Sequence, residues 1–525
     1  MKTILIRLAL LPLLPAVIAA QSAQAPAAKQ PAQPASPAAS RSSGLPAAIS
    51  AIKEADLKRD MYAMASDDMR GREAGTIDEM RASMWIADQF RAIGVAPKGL
   101  DGTYFQWWNM QRTRVSTVAS SVTLDGRALA LWTEITPTAN LGGDASAPTI
   151  FVGDGRDTTI DVKDKIAVVM MQPPTAALRT TTNSYEYRYA RAGITATGTA
   201  LVRRGAAGVI VVADSIADIA YDGVWKIQER GTYDVPGGVP RNAPTAATAA
   251  PARAPRLSGP PVLFVHRASL GQFRENGHKV EIHLHLEQFE TPSVNVIGVV
   301  RGTDPKLRDE YVLFSSHQDH DGVRYAIDGD STWSGADDNA STSVALLAIA
   351  RAFVKQPAKR SALFVFHGAE ERGLLGSRYH AAHPVVPIQN IVAVLNGDMI
   401  GRNNPDSAAL LGSQPPHRNS SELVNIAMDA NARTGKFIID SLWDRPTHPE
   451  GWYFRSDHVP YARVGVPAIF FSTNLHPDYH TPRDKPAAIN YPKLLHMTRW
   501  MFETGWMVAN AAKRPAVDAG FKLER

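Results

Sequence analysis

The second half of the chain alternates short apolar runs with segments of helical periodicity, and this pattern strongly limits the possible folds. The apolar runs are continuous and lie at 311–315, 362–366, 391–395 and 468–471. Strands that are buried on both faces of a sheet have this appearance. The helical segments lie at 343–354, 420–434 and 494–511. The alternation predicts an α/β fold with a mostly parallel sheet and helices on both faces.

The length of the chain, 525 residues, exceeds that of an ordinary single core, so more than one domain is expected. Helical periodicity predicts two early helices and a third further on, at 49–64, 81–93 and 195–204. Short β-branched runs predict strands at 150–152, 166–171, 209–212 and 262–265. The predicted organisation is a first part of the main domain, an inserted β-rich domain and a second part of the main domain, at 45–135, 137–288 and 290–514. A Pro-, Ala- and Gly-rich surface loop is expected at 236–261.

The N-terminal segment has the composition of an export signal. Lys2 and Arg7 precede an apolar run at 8–20, and small residues follow it. The run is shorter than the ~20 apolar residues that span a bilayer, so a signal peptide at 1–25 is expected. A linker rich in Ala, Pro, Gln and Ser would follow at 26–44. We therefore expect a periplasmic or extracellular protein without stable insertion in a membrane.

The chain contains no cysteine and carries a formal net charge of +5. The absence of cysteine excludes disulfides, thiol catalysis, a lipidated cysteine anchor and cysteine-bound zinc. Any zinc site must use His, Asp and Glu side chains, which are more typical of catalytic than of structural zinc. No block of basic residues has the character of a nucleic-acid-binding arm, so no nucleic-acid partner is expected.

Acidic and histidine side chains follow the predicted strands at the points where the strands end. His317 and Asp319 follow the first strand, Glu370 and Glu371 follow the second, and Asp398 follows the third. In an open α/β sheet, ligands bind outside the carboxyl ends of the strands. We therefore expect these side chains to converge at one edge of the sheet.

Two further residues of the same types, Asp337 and His480, lie in loops near this edge. Each residue of the set, taken alone, has an ordinary explanation, such as helix capping or a solvated surface. Carboxylates that are packed together repel each other and shift each other's pKa values unless a cation lies among them. The complete ordered set therefore predicts a divalent-metal centre, in which two ions share one carboxylate and leave room for a water molecule.

Six motifs occur in a fixed order along the chain: Ser-His-Gln-Asp at 316–319, Gly-Ala-Asp-Asp-Asn-Ala-Ser at 335–341, Ala-Glu-Glu-Arg-Gly-Leu-Leu-Gly-Ser at 369–377, Asn-Gly-Asp-Met at 396–399, Ser-Asp-His-Val-Pro-Tyr at 456–461 and Tyr-His-Thr at 479–481. The set resembles the zinc aminopeptidase family of clan MH, which includes aminopeptidase Y, bacterial leucyl aminopeptidases and glutamate carboxypeptidases. The β-rich block resembles a protease-associated (PA) domain, notably at 161–166 and 204–210. The resemblance implies a zinc exopeptidase fold with an inserted PA domain.

The resemblance assigns metal ligands residue by residue. His317 and Asp398 would bind one zinc ion, and Glu371 and His480 would bind the other. Asp337 would bridge the two ions. The implied cofactor is therefore two zinc ions per chain, and the implied partners are peptide substrates.

The resemblance also implies roles for four residues beside the ligands. Asp319 would form a hydrogen bond with a zinc-binding histidine and orient its ring. Glu370 would act as the general base. Tyr453 would stabilise the oxyanion of the tetrahedral intermediate, with a place in the pocket wall as the alternative. Asp338, joined to the preceding residue by an unusual peptide bond, would help to hold the free amine of the substrate.

Three residues depart from the family's pattern. His320 and Asp321 are additions to the first motif, and they are either a subgroup feature near the site or simple loop residues, of which we favour the second. Thr342 replaces a glycine that usually follows the second motif, which leaves the ligands intact but affects helix packing.

The implied function is that of an exported zinc aminopeptidase, and three alternatives stay open. The first is a carboxypeptidase or dipeptidase of the same fold, for which Arg402, Arg445, Arg455 and Arg463 are available to bind a substrate carboxylate. The second is a one-zinc glutaminyl cyclase-like transferase. The third is a binding protein without activity, against which the complete ligand set and Glu370 argue.

Overall fold

The computed structural model describes residues 44–174, 185–241 and 258–523. The predicted signal peptide at 1–25 lies outside the described residues, as do all but the last residue of the linker at 26–44 and much of the predicted loop at 236–261. Within the described ranges, no helix combines the length and the apolarity that crossing a membrane requires. Leu45–Arg525 form one compact unit.

Twenty strands occur in the described residues. They are β1 (Ala96–Pro97), β2 (Phe105–Val115), β3 (Ser121–Leu124), β4 (Arg127–Ala128), β5 (Ile135–Pro137), β6 (Gly143–Phe151), β7 (Ile166–Met170), β8 (Gly208–Val212), β9 (Thr232–Asp234), β10 (Val262–Val265), β11 (Lys279–Leu284), β12 (Leu286–Val300), β13 (Tyr311–His317), β14 (Gly322–Ile327), β15 (Asp330–Trp333), β16 (Ser361–His367), β17 (Ile391–Gly397), β18 (Ser407–Leu411), β19 (Ile438–Ile439) and β20 (Ala468–Ser472).

Eleven α-helices occur in the same part of the chain. They are α1 (Glu54–Met64), α2 (Ile77–Ile93), α3 (Tyr185–Arg203), α4 (Ser215–Ile219), α5 (Tyr221–Arg230), α6 (Leu270–Phe273), α7 (Thr342–Lys355), α8 (Leu375–Ala382), α9 (Ser421–Arg433), α10 (His458–Arg463) and α11 (Tyr491–Asn510).

The larger sheet has ten strands in the order β19-β18-β20-β17-β13-β16-β12-β2-β9, with β1 beside β12. The strands at its centre are parallel. β13 pairs in parallel with β16 on one side and with β17 on the other, and β17 pairs in parallel with β20. Towards the edges, β12 and β18 pair antiparallel with their inner neighbours. The predicted α/β fold is confirmed, with the parallel strands concentrated at the centre of the sheet.

Strand β13 shows why helices cover both faces of this sheet. Val312 and Phe314 point into one core, which also contains side chains of α1, α2, α7, α9 and α11. Leu313 points to the opposite face and packs with residues of α8 and α10. Successive side chains of a strand point to opposite faces of the sheet, so a strand of apolar residues must be covered on both faces. The continuous apolar runs of the sequence predict this arrangement.

A second sheet of eight strands has the order β4-β3-β11-β6-β7-β8-β10-β5. It has its own cores on its two faces, into which Val168 and Val169 of β7 point in opposite directions. The sheet already includes β3 and β4, which the sequence analysis assigned to the first part of the main domain, before residue 137. Strand β3 pairs with β11, more than 150 residues later in the chain, and pairing over such a distance leaves no local sequence signal.

Helix α3 begins ten residues before the predicted helix at 195–204. The helix contains two glycines, of which Gly193 lies in the missed part and lowers the helical propensity there, whereas Gly198 lies within the predicted range. Both occupy points of close packing, since a Cβ added at Gly198 would lie 2.7 Å from a methyl group of Val262. Packing against the second sheet therefore explains these glycines.

Candidate metal centre

Neighbouring parallel strands bring candidate ligands to one edge of the larger sheet. His317 is the last residue of β13, Glu370 and Glu371 follow β16, and Asp398 follows β17. Because β13 lies between the other two strands, these side chains meet at the carboxyl end of the sheet. His480 reaches the same place from the loop after β20.

The candidate ligand atoms form two groups, and within each group all atoms lie within 4.8 Å of one another. One group consists of His317, Asp338 and Asp398, and the second consists of His320, Asp338, Glu371 and His480. The two groups therefore share one carboxylate.

Asp338 faces the two groups with different oxygen atoms. Its Oδ1 lies 3.3 Å from Nε2 of His317, and its Oδ2 lies 3.1 Å from Nε2 of His480. Oδ1 of Asp398 lies 3.5 Å from Nε2 of His317, and Oε1 of Glu371 lies 3.2 Å from Nε2 of His480. Asp338 thus occupies the position that a bridging ligand requires.

Asp337, which the sequence analysis assigned as the bridge, points away from both groups. Its Oδ1 accepts a hydrogen bond from the amide of Gly401 at 2.6 Å, and its Oδ2 lies 3.5 Å from Nε2 of His476. The predicted bridge is therefore one residue too early. Two adjacent aspartates look alike in a sequence, whereas the backbone of the turn at Ala336–Ser341 decides which side chain faces the strand ends.

The turn that presents Asp338 is held by Asp484 and shaped by Gly335. The carboxylate of Asp484 accepts hydrogen bonds from the amides of Asp337 and Asp338, at 3.0 and 3.1 Å. Gly335 has a φ of +55°, and a Cβ added there would collide with the ring of His320 and with the carbonyl oxygen of Asp338. The peptide bond after Asp338 is cis, one position later than the resemblance implies.

His320 and Asp321 lie at this centre, which favours the alternative of a feature near the site over the preferred interpretation as simple loop residues. Nδ1 of His320 lies 2.8 Å from Oε1 of Glu371, and its ring meets that of His480 edge-on. Oδ2 of Asp321 lies 3.3 Å from Nδ1 of His480, on the side of the ring away from Glu371. The sequence signal for them was a second histidine three residues after His317, in the same strand-end loop.

Several buried polar atoms of the centre lie close to one another, but their angles do not suit a hydrogen bond, and they make none within the described part of the chain. They are Nε2 of His317, both ring nitrogens of His320, Oε1 of Glu371 and Oδ1 of Asp398. A buried polar atom without a partner costs on the order of 1–3 kcal/mol. Imidazole nitrogens and carboxylate oxygens are the donors that catalytic zinc uses. The residues of this centre therefore fit zinc.

Burial and crowding shift the pKa values of the acids and bases here. Burial raises the pKa of Glu370 well above its usual range, and although His317 opposes the shift, Glu371 and Asp398 reinforce it. Burial alone would lower the pKa of His317, but the charges of Glu370 and Asp398 outweigh it and raise that pKa. Carboxylates at this density need positive charge beside them, which protons or bound cations supply.

Residues 295–505 match the sequence pattern that defines peptidase family M28. This segment belongs to peptidase family M28. The M28 segment begins within β12, ends within α11 and includes every candidate ligand from His317 to His480.

Several curated relatives of this chain are aminopeptidases by name. Aminopeptidase YwaD of Bacillus subtilis is 28% identical over 224 residues, which cover 41% of this chain and 44% of that protein. The probable leucine aminopeptidase 2 of Aspergillus oryzae is 27% identical over 197 residues, which cover 36% of this chain and 35% of that protein. The chain thus spans less than half the length of these two relatives.

Two solved structures resemble this chain along almost their whole length. BSAP, a zinc aminopeptidase from Bacillus subtilis, is 19% identical with a TM-score of 0.53, covering 90% of this chain and 99% of that chain. The aminopeptidase from Aneurinibacillus sp. strain AM-1 is 17% identical with a TM-score of 0.52, covering 89% and 96%. The α/β fold that this chain shares with the two structures therefore includes residues outside the M28 segment.

Asp319 supports the M28 centre in a different way from the one predicted. Its Oδ1 lies 3.9 Å from Nδ1 of His317, too far for a hydrogen bond, and that nitrogen lies 3.1 Å from the backbone carbonyl oxygen of Asp319. The carboxylate instead accepts hydrogen bonds from the amides of Glu370 and Glu371, at 2.9 and 3.3 Å. Asp319 therefore fixes the backbone that carries both glutamates, a long-range contact that the sequence does not reveal.

Tyr453 is not among the residues that line the cavity beside the metal centre. Its ring is fully buried and stacks on that of His417, with centroids 4.3 Å apart and an angle of 5° between the planes. Trp452 and Phe454 do line the cavity, so the helical turn that contains all three directs Tyr453 inward. This position does not support the predicted contact with an oxyanion. Tyr479 lines the cavity instead.

The cavity has a volume of about 700 Å³, which suits a small ligand or the end of a peptide. Asp338, Glu370 and His480 are among the residues that form its wall beside the metal centre. Tyr187 and Arg230, from the chain between β7 and β10, belong to another part of the wall. The cavity therefore joins the M28 segment to a stretch that lies outside it.

We expect Asp484→Ala to destabilise the turn that carries Asp338. Asp484 is fully buried, and its removal leaves two buried amides without an acceptor, at about 1–3 kcal/mol each. The free energy of unfolding of the zinc-free protein, measured in urea, should therefore fall by about 2–6 kcal/mol. Asp88→Ala, at an exposed position of α2, is the control and should change it by less than about 0.5 kcal/mol. Equal effects of the two substitutions would contradict the role of Asp484.

Proposed function

We propose that the chain is an aminopeptidase that uses two zinc ions to release N-terminal residues from peptides. The observation that carries this proposal is the position of Asp338, whose two oxygens face two separate groups of buried His, Asp and Glu side chains. The names of the relatives support the type of peptidase, since YwaD and the Aspergillus oryzae protein are both called aminopeptidases.

In this proposal the two groups hold one ion each. His317 and Asp398 would serve one ion, Glu371 and His480 would serve the other with His320 as a further donor of that group, and Asp338 would serve both. When bound, the zinc ions would polarise the scissile carbonyl and lower the pKa of a water molecule.

Each of the two predicted zinc-binding histidines is oriented through its second ring nitrogen. Nδ1 of His317 lies 3.1 Å from the carbonyl oxygen of Asp319, and Nδ1 of His480 lies 3.3 Å from the carboxylate of Asp321. Such contacts fix the ring and make the other nitrogen a better metal ligand. These contacts support a role for both histidines as ligands.

Glu370 is the proposed general base. It lines the cavity but belongs to neither group of candidate ligands, and its Oε2 lies 3.9 Å from Nε2 of His317. A carboxylate in this position can take a proton from the attacking water and deliver it to the leaving amine. The carboxylate of Asp319 holds the amide of Glu370, which keeps the side chain in place.

We also propose that the protein is exported and that the second sheet belongs to a PA domain that limits access of large substrates. The support for export is the charged start and apolar run within residues 1–25. The support for the PA domain is the resemblance at 161–166 and 204–210. N-terminal sequencing of protein recovered outside the cytoplasm tests export, and a start at Met1 would contradict cleavage.

Paired substrates with free and N-acetylated amino termini test the proposed activity. We expect hydrolysis of the free-amine forms alone, by protein that holds about two zinc ions per chain, and loss of activity after chelation. Cleavage of blocked substrates that keep a free carboxylate would favour the carboxypeptidase alternative. Turnover of neither kind by zinc-loaded protein would favour the cyclase-like transferase or the binding protein.

A further inference from the structure

Arginines dominate the polar wall of the cavity beside the metal centre. Eight of the described residues that line it are arginines, and none is a lysine. With two zinc ions bound, the four negative charges of Asp338, Glu370, Glu371 and Asp398 would be balanced by the charge of the ions. The arginines are therefore not needed to neutralise the metal ligands.

A short chain of contacts connects the candidate ligand His480 to these arginines. Oδ2 of Asp321 lies 3.3 Å from Nδ1 of His480. Oδ1 of the same carboxylate pairs with Arg324 and lies 3.7 Å from Nη1 of Arg372. One side chain thus separates the metal centre from two guanidinium groups.

Three arginines in this part of the wall share two carboxylates. Arg230 and Arg372 both pair with Glu73, at 3.5 and 3.2 Å. Arg324 pairs with Asp321, which also lies near Arg372. One positive charge is left over, and the three guanidinium groups are mostly buried, so solvent screens that charge poorly.

Aromatic rings hold two of the three guanidinium groups in place. Arg324 lies over the ring of Trp333 at 4.9 Å, and Arg372 lies over the ring of Tyr233 at 5.6 Å. Their Nε atoms are buried and make no hydrogen bond within the described residues. Burial, together with the like charges of Arg230 and Arg372, lowers the pKa of Arg324. An anion in the cavity beside these groups would relieve the repulsion, and fixed guanidinium groups bind carboxylates well.

We propose that Arg230, Arg324 and Arg372 bind a carboxylate of the substrate and that the enzyme acts preferentially on short acidic peptides. This inference rests on the proposed peptidase function. Because Asp321 alone separates Arg324 from His480, the bound carboxylate belongs to a residue at or next to the scissile bond. An acidic side chain and the C-terminal carboxylate of a dipeptide offer the same chemistry.

Four dipeptides with free amino termini separate these two sources. Leu-Ala-amide carries no carboxylate, Leu-Ala carries one at its C-terminus, and Glu-Ala-amide and Leu-Glu-amide each carry one on a side chain. We expect kcat/KM to be at least about tenfold higher for one or more carboxylate-bearing substrates than for Leu-Ala-amide, as for a charge-assisted hydrogen bond. A high value for Leu-Ala identifies the C-terminal carboxylate, and a high value for either acidic amide identifies a side chain.

Arg324→Gln tests whether the arginines produce this preference. We expect the ratio of kcat/KM between the preferred acidic substrate and Leu-Ala-amide to fall by roughly 10- to 150-fold, with zinc content measured on the same sample. Arg91→Gln, at an exposed position of α2, is the matched control and should leave the ratio unchanged.

Two results would overturn the inference while leaving the proposed function intact. The first is hydrolysis of Leu-Ala-amide by the unaltered enzyme as efficiently as the acidic substrates. The second is an unchanged ratio in a folded, zinc-loaded Arg324→Gln protein. Hydrolysis of none of the four dipeptides by zinc-loaded protein would instead contradict the proposed function. If the Arg324→Gln variant does not fold, the comparison of the four dipeptides on the unaltered enzyme still tests the inference.

Discussion

Replacing Glu370 by Gln is expected to lower kcat by roughly 10²- to 10⁴-fold while the zinc content stays the same. The amide matches the carboxylate in size but cannot accept the proton from the attacking water. Glu370 lines the cavity and belongs to neither group of candidate ligands, so the metal centre should survive the change. Steady-state kinetics with a free-amine substrate and zinc analysis of the same sample measure both effects.

Glu54→Gln is the matched control for this experiment, because Glu54 is exposed at the start of α1. It should retain the full kcat. An unchanged kcat in Glu370→Gln would place the base elsewhere. Loss of zinc from Glu370→Gln would show that this side chain is a ligand.

Replacing Asp338 by Asn is expected to remove both zinc binding and activity. Asp338 is the one residue common to the two groups of candidate ligands, so a single substitution weakens both. A neutral amide offers one oxygen in place of two and carries no charge. Since loss of a supporting contact alone costs 10- to 100-fold in metal affinity, we expect a loss of more than roughly 100-fold here. Competition with a chelator of known affinity measures it.

Asp337→Asn provides the comparison that separates the two adjacent aspartates. Asn at this position can still accept the hydrogen bond from the amide of Gly401, and it faces neither group of ligands. We expect this variant to keep its zinc and most of its activity. Loss of zinc from Asp337→Asn, with zinc retained in Asp338→Asn, would restore the bridge that the sequence motif suggested.

The order of strands and ligands made much of the metal centre predictable. His317, Glu371, Asp398 and His480 fall within the two groups because the carboxyl ends of parallel strands meet at one edge. The choice between Asp337 and its neighbour was not predictable, because it depends on the backbone of a single turn. Residue type and strand order therefore located the site, but not the direction of every side chain.

The remaining errors concern contacts between distant parts of the chain. Asp321 owes its place to His480, more than 150 residues later, and Asp319 holds amides that lie more than 50 residues away. Tyr453 is turned inward by packing against His417, which periodicity does not show. Strand β3 joins the second sheet through a partner that is equally remote. In each case tertiary packing decided what local sequence left open.

Two separate stretches of the chain contribute side chains to the wall of the cavity. The candidate metal-binding side chains lie at 317–480, whereas Tyr187, Arg191 and Arg230 lie between β7 and β10. Mutations in the second stretch can therefore change the shape and charge of the cavity without touching the candidate metal-binding residues. Relatives that share the candidate metal-binding residues but differ in this stretch should accordingly differ in the ligands that the cavity accepts.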